Sequence, residues 1–267
     1  MSGKTLRLKR FQTAPNGRMV ILPLDHGVSC GPLRGLERPE AVIRMGVQEG
    51  ADALVLHKGM LRYVENLTGQ LPGIILHLSA SSQLGPAVHH KVLIGSVAEA
   101  IRRGADAVSI HINLGNPKEP EMLRDFGMVS DACTEWQVPL LVMMYVRGLE
   151  EATMAPDSAI AHAARVAAEL GADIVKIPAP HEDKILAEIT ANLPVPVVVA
   201  GGSRIAETPI FLERVEKAME AGAQGVAMGR NVFQSDTPQM LLRAICGIVH
   251  RGFSASRAWE ECKMEMG

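Results

Sequence analysis

Aromatic residues are scarce: two tryptophans, two tyrosines and five phenylalanines in 267 residues. That leaves no stacking platform for single-stranded nucleic acid. The net charge of −2, from 27 basic against 29 acidic residues, provides no bulk field to gather a polyanion or an anionic membrane. The expected partners are therefore small, site-bound molecules, with no nucleic acid and no membrane. No apolar run approaches the roughly 20 residues of a membrane span, and the amino terminus lacks the apolar centre of a signal peptide. The four cysteines, Cys30, Cys133, Cys246 and Cys262, form no C-x-x-C pair, so a reduced, cytoplasmic protein without a disulfide framework is expected. Two nucleotide signatures are also missing: no G-x-G-x-x-G follows the first apolar run, and no G-x-x-x-x-G-K-[ST] occurs.

The chain is rich in Ala, Gly, Val, Ile and Met, and its 47% hydrophobic content over this length supports one sizeable core. One pattern recurs, in which a helical run is followed by Gly-Ala-Asp or Gly-Ala-Gln and then by an apolar strand. Its copies are Gly50-Ala51-Asp52, Gly104-Ala105-Asp106, Gly171-Ala172-Asp173 and Gly222-Ala223-Gln224. Each glycine is expected just past a helix end, before a tight entry into a parallel strand. Four copies imply four similar units, each of two strands and two helices.

Apolar runs that do not alternate occupy 19–24, 53–56, 73–78, 107–112, 139–145, 174–177, 195–200 and 225–228, the signature of strands covered on both faces. Helical stretches separate them, for example at 40–49, 96–103, 120–136, 157–170 and 208–221. The pattern predicts an α/β chain folded as a single-domain (β/α)8 TIM barrel over 19–267, with 1–18 as an amino-terminal cover. A doubly wound open sheet is the runner-up, opposed by the missing glycine signature and by the lack of a linker. The cover carries Lys4, Arg7, Lys9, Arg10 and Arg18 and is expected to be solvated or to form an oligomer contact.

In such a barrel the carboxyl ends of the strands share one mouth. Lys176 stands near the end of the sixth run, between Val175 and Ile177. Desolvation disfavours an ammonium in a run this apolar, and a neutral amine attacks a ketone to form a Schiff base. The competing role is a strand-end lysine that snorkels to water or pairs with a carboxylate. Asp25 and Tyr145, at other strand ends, have the chemistry to move protons during carbinolamine formation and dehydration. Singly they read as a helix cap and a rim aromatic bonded to a backbone carbonyl. Gly201, Gly202 and Ser203, with Gly229 and Arg230, follow the seventh and eighth strands, where barrels hold phosphate on glycine amides. Arg230 can add charge-assisted hydrogen bonds; the alternative is a pair of tight turns with Arg230 in an internal ion pair. His26, His57, His77 and His111 lie near the ends of the first four strands, which makes a metal centre geometrically conceivable. No His-x-His or H-E-x-x-H spacing accompanies them, so substrate hydroxyls are their expected partners and no metal or cofactor is expected. Together with His26, Lys58 and Arg147 complete the substrate-binding candidates, and Lys58 is the rival Schiff-base lysine in a wetter setting beside His57 and Gly59.

Several of these segments carry a resemblance. Leu24-Asp25-His26-Gly27-Val28-Ser29, Leu56-His57-Lys58-Gly59, Ile75-Leu76-His77-Leu78-Ser79, Met143-Met144-Tyr145, Asp173-Ile174-Val175-Lys176, Val199-Ala200-Gly201-Gly202 and Gly229-Arg230-Asn231-Val232 resemble the class I aldolases of archaeal type. The resemblance implies a metal-independent barrel with Lys176 as Schiff-base residue, Asp25 and Tyr145 handling protons, and phosphate held at Gly201-Gly202-Ser203 and Gly229-Arg230. It further implies a homo-oligomer built from rings, often a decamer, and small phosphorylated ketose and aldehyde substrates. One branch of the family takes a fragment from 6-deoxy-5-ketofructose 1-phosphate and joins it to L-aspartate semialdehyde. The chain departs from the family at Val146, where proline is usual, and at Ile177-Pro178-Ala179, where a Thr-x-Tyr type sequence is usual.

Overall fold

A computed structural model describes residues 2–67, 70–147 and 154–264. The eight expected strands form: β1 (Met19–Pro23), β2 (Ala53–Leu56), β3 (Gly73–His77), β4 (Ala107–Leu114), β5 (Leu140–Val146), β6 (Ile174–Pro178), β7 (Val197–Ala200) and β8 (Gly225–Ala227). They pair in parallel in sequence order, and β8 pairs with β1 to close the barrel. Side chains alternate across a strand, so closure divides each strand between two cores. Ile21, Val55, Ile75, Leu141, Ile174 and Val198 belong to the inner cluster, whereas Val20, Leu54, Leu76, Val142, Val175 and Val199 join the larger outer cluster beneath the helices. Both sets are buried, which is why the runs are apolar without alternation.

One unit departs from the expected alternation. Among the described residues between β2 and β3 the one helix is a 3-10 helix, Lys58–Tyr63; the segment carries Gly59 and ends at Pro72, and it lacks the apolar period an α-helix would bury. A second unforeseen element is a small antiparallel hairpin after β3, in which Ser79–Ala80 pairs with Val92–Leu93.

The repeat has a physical meaning at the amino-terminal end of the barrel. Gly50, Gly104, Gly171 and Gly222 all take positive φ, from 81° to 96°, which only glycine adopts without strain. The alanine after each then donates its N–H back into the preceding helix, to Gly46, Ala100, Ala167 and Ala218 carbonyls at 2.9–3.1 Å, closing the helix end. The Asp or Gln that follows donates its own N–H to a carbonyl of the neighbouring strand segment. In three copies the carboxylate also accepts a neighbouring strand's N–H: Val20 to Asp52 at 2.7 Å, Ile74 to Asp106 at 3.0 Å and Leu140 to Asp173 at 2.8 Å. Gln224 instead donates to the Gly222 carbonyl.

The same three carboxylates secure the basic amino-terminal segment, which therefore differs from a purely solvated cover. Lys4 pairs with Asp173 at 2.8 Å, Arg10 pairs with Asp106, and Thr13 donates to Asp52 at 2.6 Å. Between these contacts Phe11, fully buried, places its ring over Gly73, where a Cβ would collide with it, and joins the inner core beside Met19. Phe11 thus fills the lower end of the barrel. Phe11→Ala is expected to lower stability by about 3–5 kcal/mol, read from urea denaturation. A loss under 1 kcal/mol would show that the ring is dispensable to the core.

Candidate active site

Parity determines what reaches the mouth. On β6, Ile174 faces the inner core and Val175 and Ile177 the outer one, so Lys176 points into the barrel and is 6% exposed. The snorkelling alternative is not what forms. Among the described residues its one hydrogen-bond-range partner is the Met143 thioether, with Nζ 3.9 Å from Sδ; no carboxylate pairs with it. A cavity of about 180 Å³ opens over it, lined also by His26, Tyr145, Arg147, Gly201, Gly202, Ser203, Gly229 and Arg230.

Asp25 precedes the short helix His26–Cys30, yet its side chain makes no capping bond there. The carboxylate instead faces the mouth, 3.7 Å from His26 Nδ1 and 3.8 Å from His77 Nε2. Burial alone would raise its pKa, but in the acidic range where the carboxylate would take up a proton the charges of His77, His26 and Lys176 outweigh burial and hold it below the ordinary carboxylate value. Asp25 is thus an ionised base beside the lysine.

Tyr145 is packed between two partners at the end of β5. His111 stacks on its ring at 4.9 Å between centroids, and the Arg147 guanidinium lies 4.7 Å from the ring centre. His111 is itself fixed by Asn113 Oδ1 at 2.9 Å, and Asn113 donates onward to the His89 carbonyl. His77 is fixed by Ser109 at 2.8 Å, and its ring meets that of His57 edge-on. Burial pushes the pKa of His26, His57 and His111 below that of free imidazole, and that of His77 down to about 3. The four rings therefore form a neutral polar wall at pH 7. Among the described residues no group of three or more His, Cys, Asp or Glu is placed to hold a metal ion.

The loops after β7 and β8 meet beside Lys176. Arg230 makes no ion pair among the described residues; it donates to the Gly202 carbonyl at 3.0 Å and ties the two loops together. Asn231 does the same from the inside, reaching the Gly201 carbonyl at 2.8 Å. Gly229 lies so close to β1 that a Cβ would come within 2.6 Å of His26 Cε1.

Lys58 is the candidate that the structure takes away from the cavity. Its ammonium turns outward to the Ile94 carbonyl at 2.9 Å and the Glu99 carboxylate at 3.3 Å, where Glu99, on the helix Val97–Arg102, offers a counter-charge. Sequence reasoning missed Lys91 and Ser109. Ser109 shares the inward parity of His111 and Asn113 on β4 and was detectable by counting in twos; Lys91 lies in a loop without periodicity, and no pattern marks it.

A barrel with an inward lysine on its sixth strand, beside a carboxylate, a tyrosine and a glycine-lined pocket, has the composition of a Schiff-base aldolase. Residues 19–235 match the DeoC/LacD family aldolases, and the chain belongs to that family. It is 44% identical over 250 residues, 94% of this chain and 92% of the relative, to 2-amino-3,7-dideoxy-D-threo-hept-6-ulosonate synthase 1 of Archaeoglobus fulgidus. It is 42% identical over 247 residues, 92% of this chain and 90% of the relative, to 2-amino-4,5-dihydroxy-6-oxo-7-(phosphonooxy)heptanoate synthase of Streptomyces griseus. Among solved structures, an archaeal fructose-1,6-bisphosphate aldolase with its catalytic lysine covalently bound to the carbinolamine intermediate superposes with a TM-score of 0.81. The two are 30% identical, covering 91% of this chain and 99% of that one.

The buried histidines predict a pH dependence of stability. The unfolded chain takes up a proton near pH 6.5 that folded His77 refuses until about pH 3. Its contribution is fully present above pH 6.5 and is lost as pH falls through that window, at a limiting slope of about 1.4 kcal/mol per pH unit for one group. In urea denaturation between pH 7 and 4, His77→Asn is expected to flatten this decline. An unchanged slope would refute the assignment.

Proposed function

We propose that the chain is a class I aldolase of the heptulosonate synthase type, forming a C–C bond between an enamine held on Lys176 and the aldehyde carbon of L-aspartate semialdehyde. The observation that carries the reading is the Lys176 amine, buried and without an oxygen partner among the described residues, over a pocket whose far wall is made of glycine loops and Arg230. Lys176 Nζ attacks the ketone carbon, and the carbonyl oxygen takes a proton to give the carbinolamine. Tyr145 supplies the proton with which the hydroxyl leaves as water, and the iminium forms. Asp25, held ionised, removes the proton of the hydroxyl on the carbon beyond the breaking C–C bond; that carbon departs as an aldehyde, and the bond's electron pair passes to the iminium to leave the enamine. The enamine carbon then attacks the aldehyde, and hydrolysis restores the amine.

Gly201, Gly202, Ser203, Gly229 and Arg230 would hold the phosphate of a phosphorylated ketose donor, with His26 and Arg147 against its hydroxyls. Dihydroxyacetone phosphate is a second donor, favoured by the Streptomyces griseus relative, whose named product keeps a phosphonooxy group at carbon 7 and a carboxylate at carbon 1. The same reading includes a homo-oligomer, supported by the exposed Trp136, Met128 and Leu170, and a cytoplasmic setting, supported by four cysteines that form no disulfide. No helix among the described residues is long and apolar enough to cross a membrane.

Borohydride reduction in the presence of the ketose phosphate should trap an adduct on the peptide carrying Lys176. Lys176→Met should abolish trapping, and Tyr145→Phe should slow turnover by about 10²- to 10⁴-fold with the fold intact. An adduct on Lys58 or Lys91, or none at all, would overturn the assignment.

A further inference from the structure

The chemistry above leaves one buried cation unused. Lys91 is 7% exposed, and its Nζ donates to Ser81 at 2.5 Å and to Ser29 at 3.3 Å. Ser29 follows β1 and Ser81 follows β3, so the ammonium bridges two loops above the end of β2. Among the described residues no carboxylate lies within ion-pair distance of it. Asp25 is the acid whose field reaches it, and that carboxylate is already shared with His77, His26 and Lys176. Arg147 adds a second positive charge from β5, and His57, His77, His89 and His111 all sense Lys91. A buried cation solvated only by hydroxyls is unfavourable until an anion joins it, and burial with the Arg147 field does draw the Lys91 pKa below the ordinary lysine value.

The ring order decides where such an anion would stand. β2 lies opposite β6 in the closed eight-strand ring, so Lys91 stands across the mouth from Lys176, whereas the phosphate loops after β7 and β8 stand beside the lysine. An acceptor whose anion is held at Lys91 would point its other end across the mouth at the nucleophile. We propose that Lys91, flanked by Arg147, binds the carboxylate of the aldehyde acceptor and so selects acceptors that carry one. This rests on the aldolase reading above and adds to it the wall from which the acceptor reacts. The competing role is a brace that merely joins two loops.

The test uses Lys91→Met and Lys91→Gln beside the wild type, with three measurements: borohydride trapping of the ketose phosphate alone, turnover with propanal as acceptor, and calorimetric titration with L-homoserine. Homoserine is the unreactive alcohol counterpart of L-aspartate semialdehyde and keeps its carboxylate. The wild type should bind homoserine, and both variants should weaken that binding about tenfold to a hundredfold, the range of one charge-assisted hydrogen bond. Trapping and propanal turnover should stay at wild-type values, which a brace would not allow. Equal homoserine binding in wild type and variants overturns the proposal, as does a wild type that does not bind it. Trapping lost in proportion to binding makes Lys91 a brace and overturns it as well. A wild type that traps nothing overturns the aldolase reading instead, and the homoserine titration still decides Lys91.

Discussion

Closure of eight parallel strands is the constraint on which the rest of this structure depends. A closed sheet has no edge to protect and no freedom of register, so every second residue of each strand is committed to the interior. On β6 that assigns Ile174 to the inner core and Lys176 to the mouth. A slip of one residue would bury Val175 inside and turn the lysine towards the helices, where no cavity awaits it. The lumen below Lys176 is filled by Met143, Ile174 and, at the bottom, Phe11, so the amine rests on a packed floor and is approachable only from above.

The lower end of the barrel explains how that register is maintained. Three aspartates of the Gly-Ala-Asp repeat each tie a strand N–H to the adjacent strand's entrance and hold a polar side chain of the first thirteen residues. Asp52 additionally accepts from His250 at 2.7 Å, near the carboxyl-terminal helices. The strands are aligned at their entrances by short polar contacts, while their exits are left to carry chemistry. This division of labour matches the general separation of stability and activity between the two faces of such barrels.

Electrostatics at the mouth follow from the same burial. Four histidines at the ends of β1 to β4 could have formed a cationic ring, but desolvation keeps them neutral, and the lasting charges are Asp25 and the cations Lys91, Arg147 and Arg230. The mouth carries an excess of positive charge in a chain whose total is −2. Such local excess suits anionic substrates, and it is invisible to any count over the whole sequence.

The barrel was legible because long apolar runs and a fourfold repeat are strong, local signals. Lys176, Asp25 and Tyr145 were legible because strand ends in a barrel converge, so position along the chain translates into position in space. The hairpin after β3, the 3-10 turn after β2 and the partners of Lys58 and Lys91 were not, since each depends on which long loop folds over which strand end. The departure at Ile177-Pro178-Ala179 shows what structure adds. As a sequence difference it sits against the nucleophile as a block of three. In the barrel Ile177 is fully buried in the outer core, Ala179 is exposed beyond the strand, and Pro178 alone shares the parity of Lys176. Proline at that inward position, opposite Ala200 on β7, fixes φ and removes a donor. Any effect of the departure on substrate choice therefore passes through one residue on the wall between Lys176 and the phosphate loops.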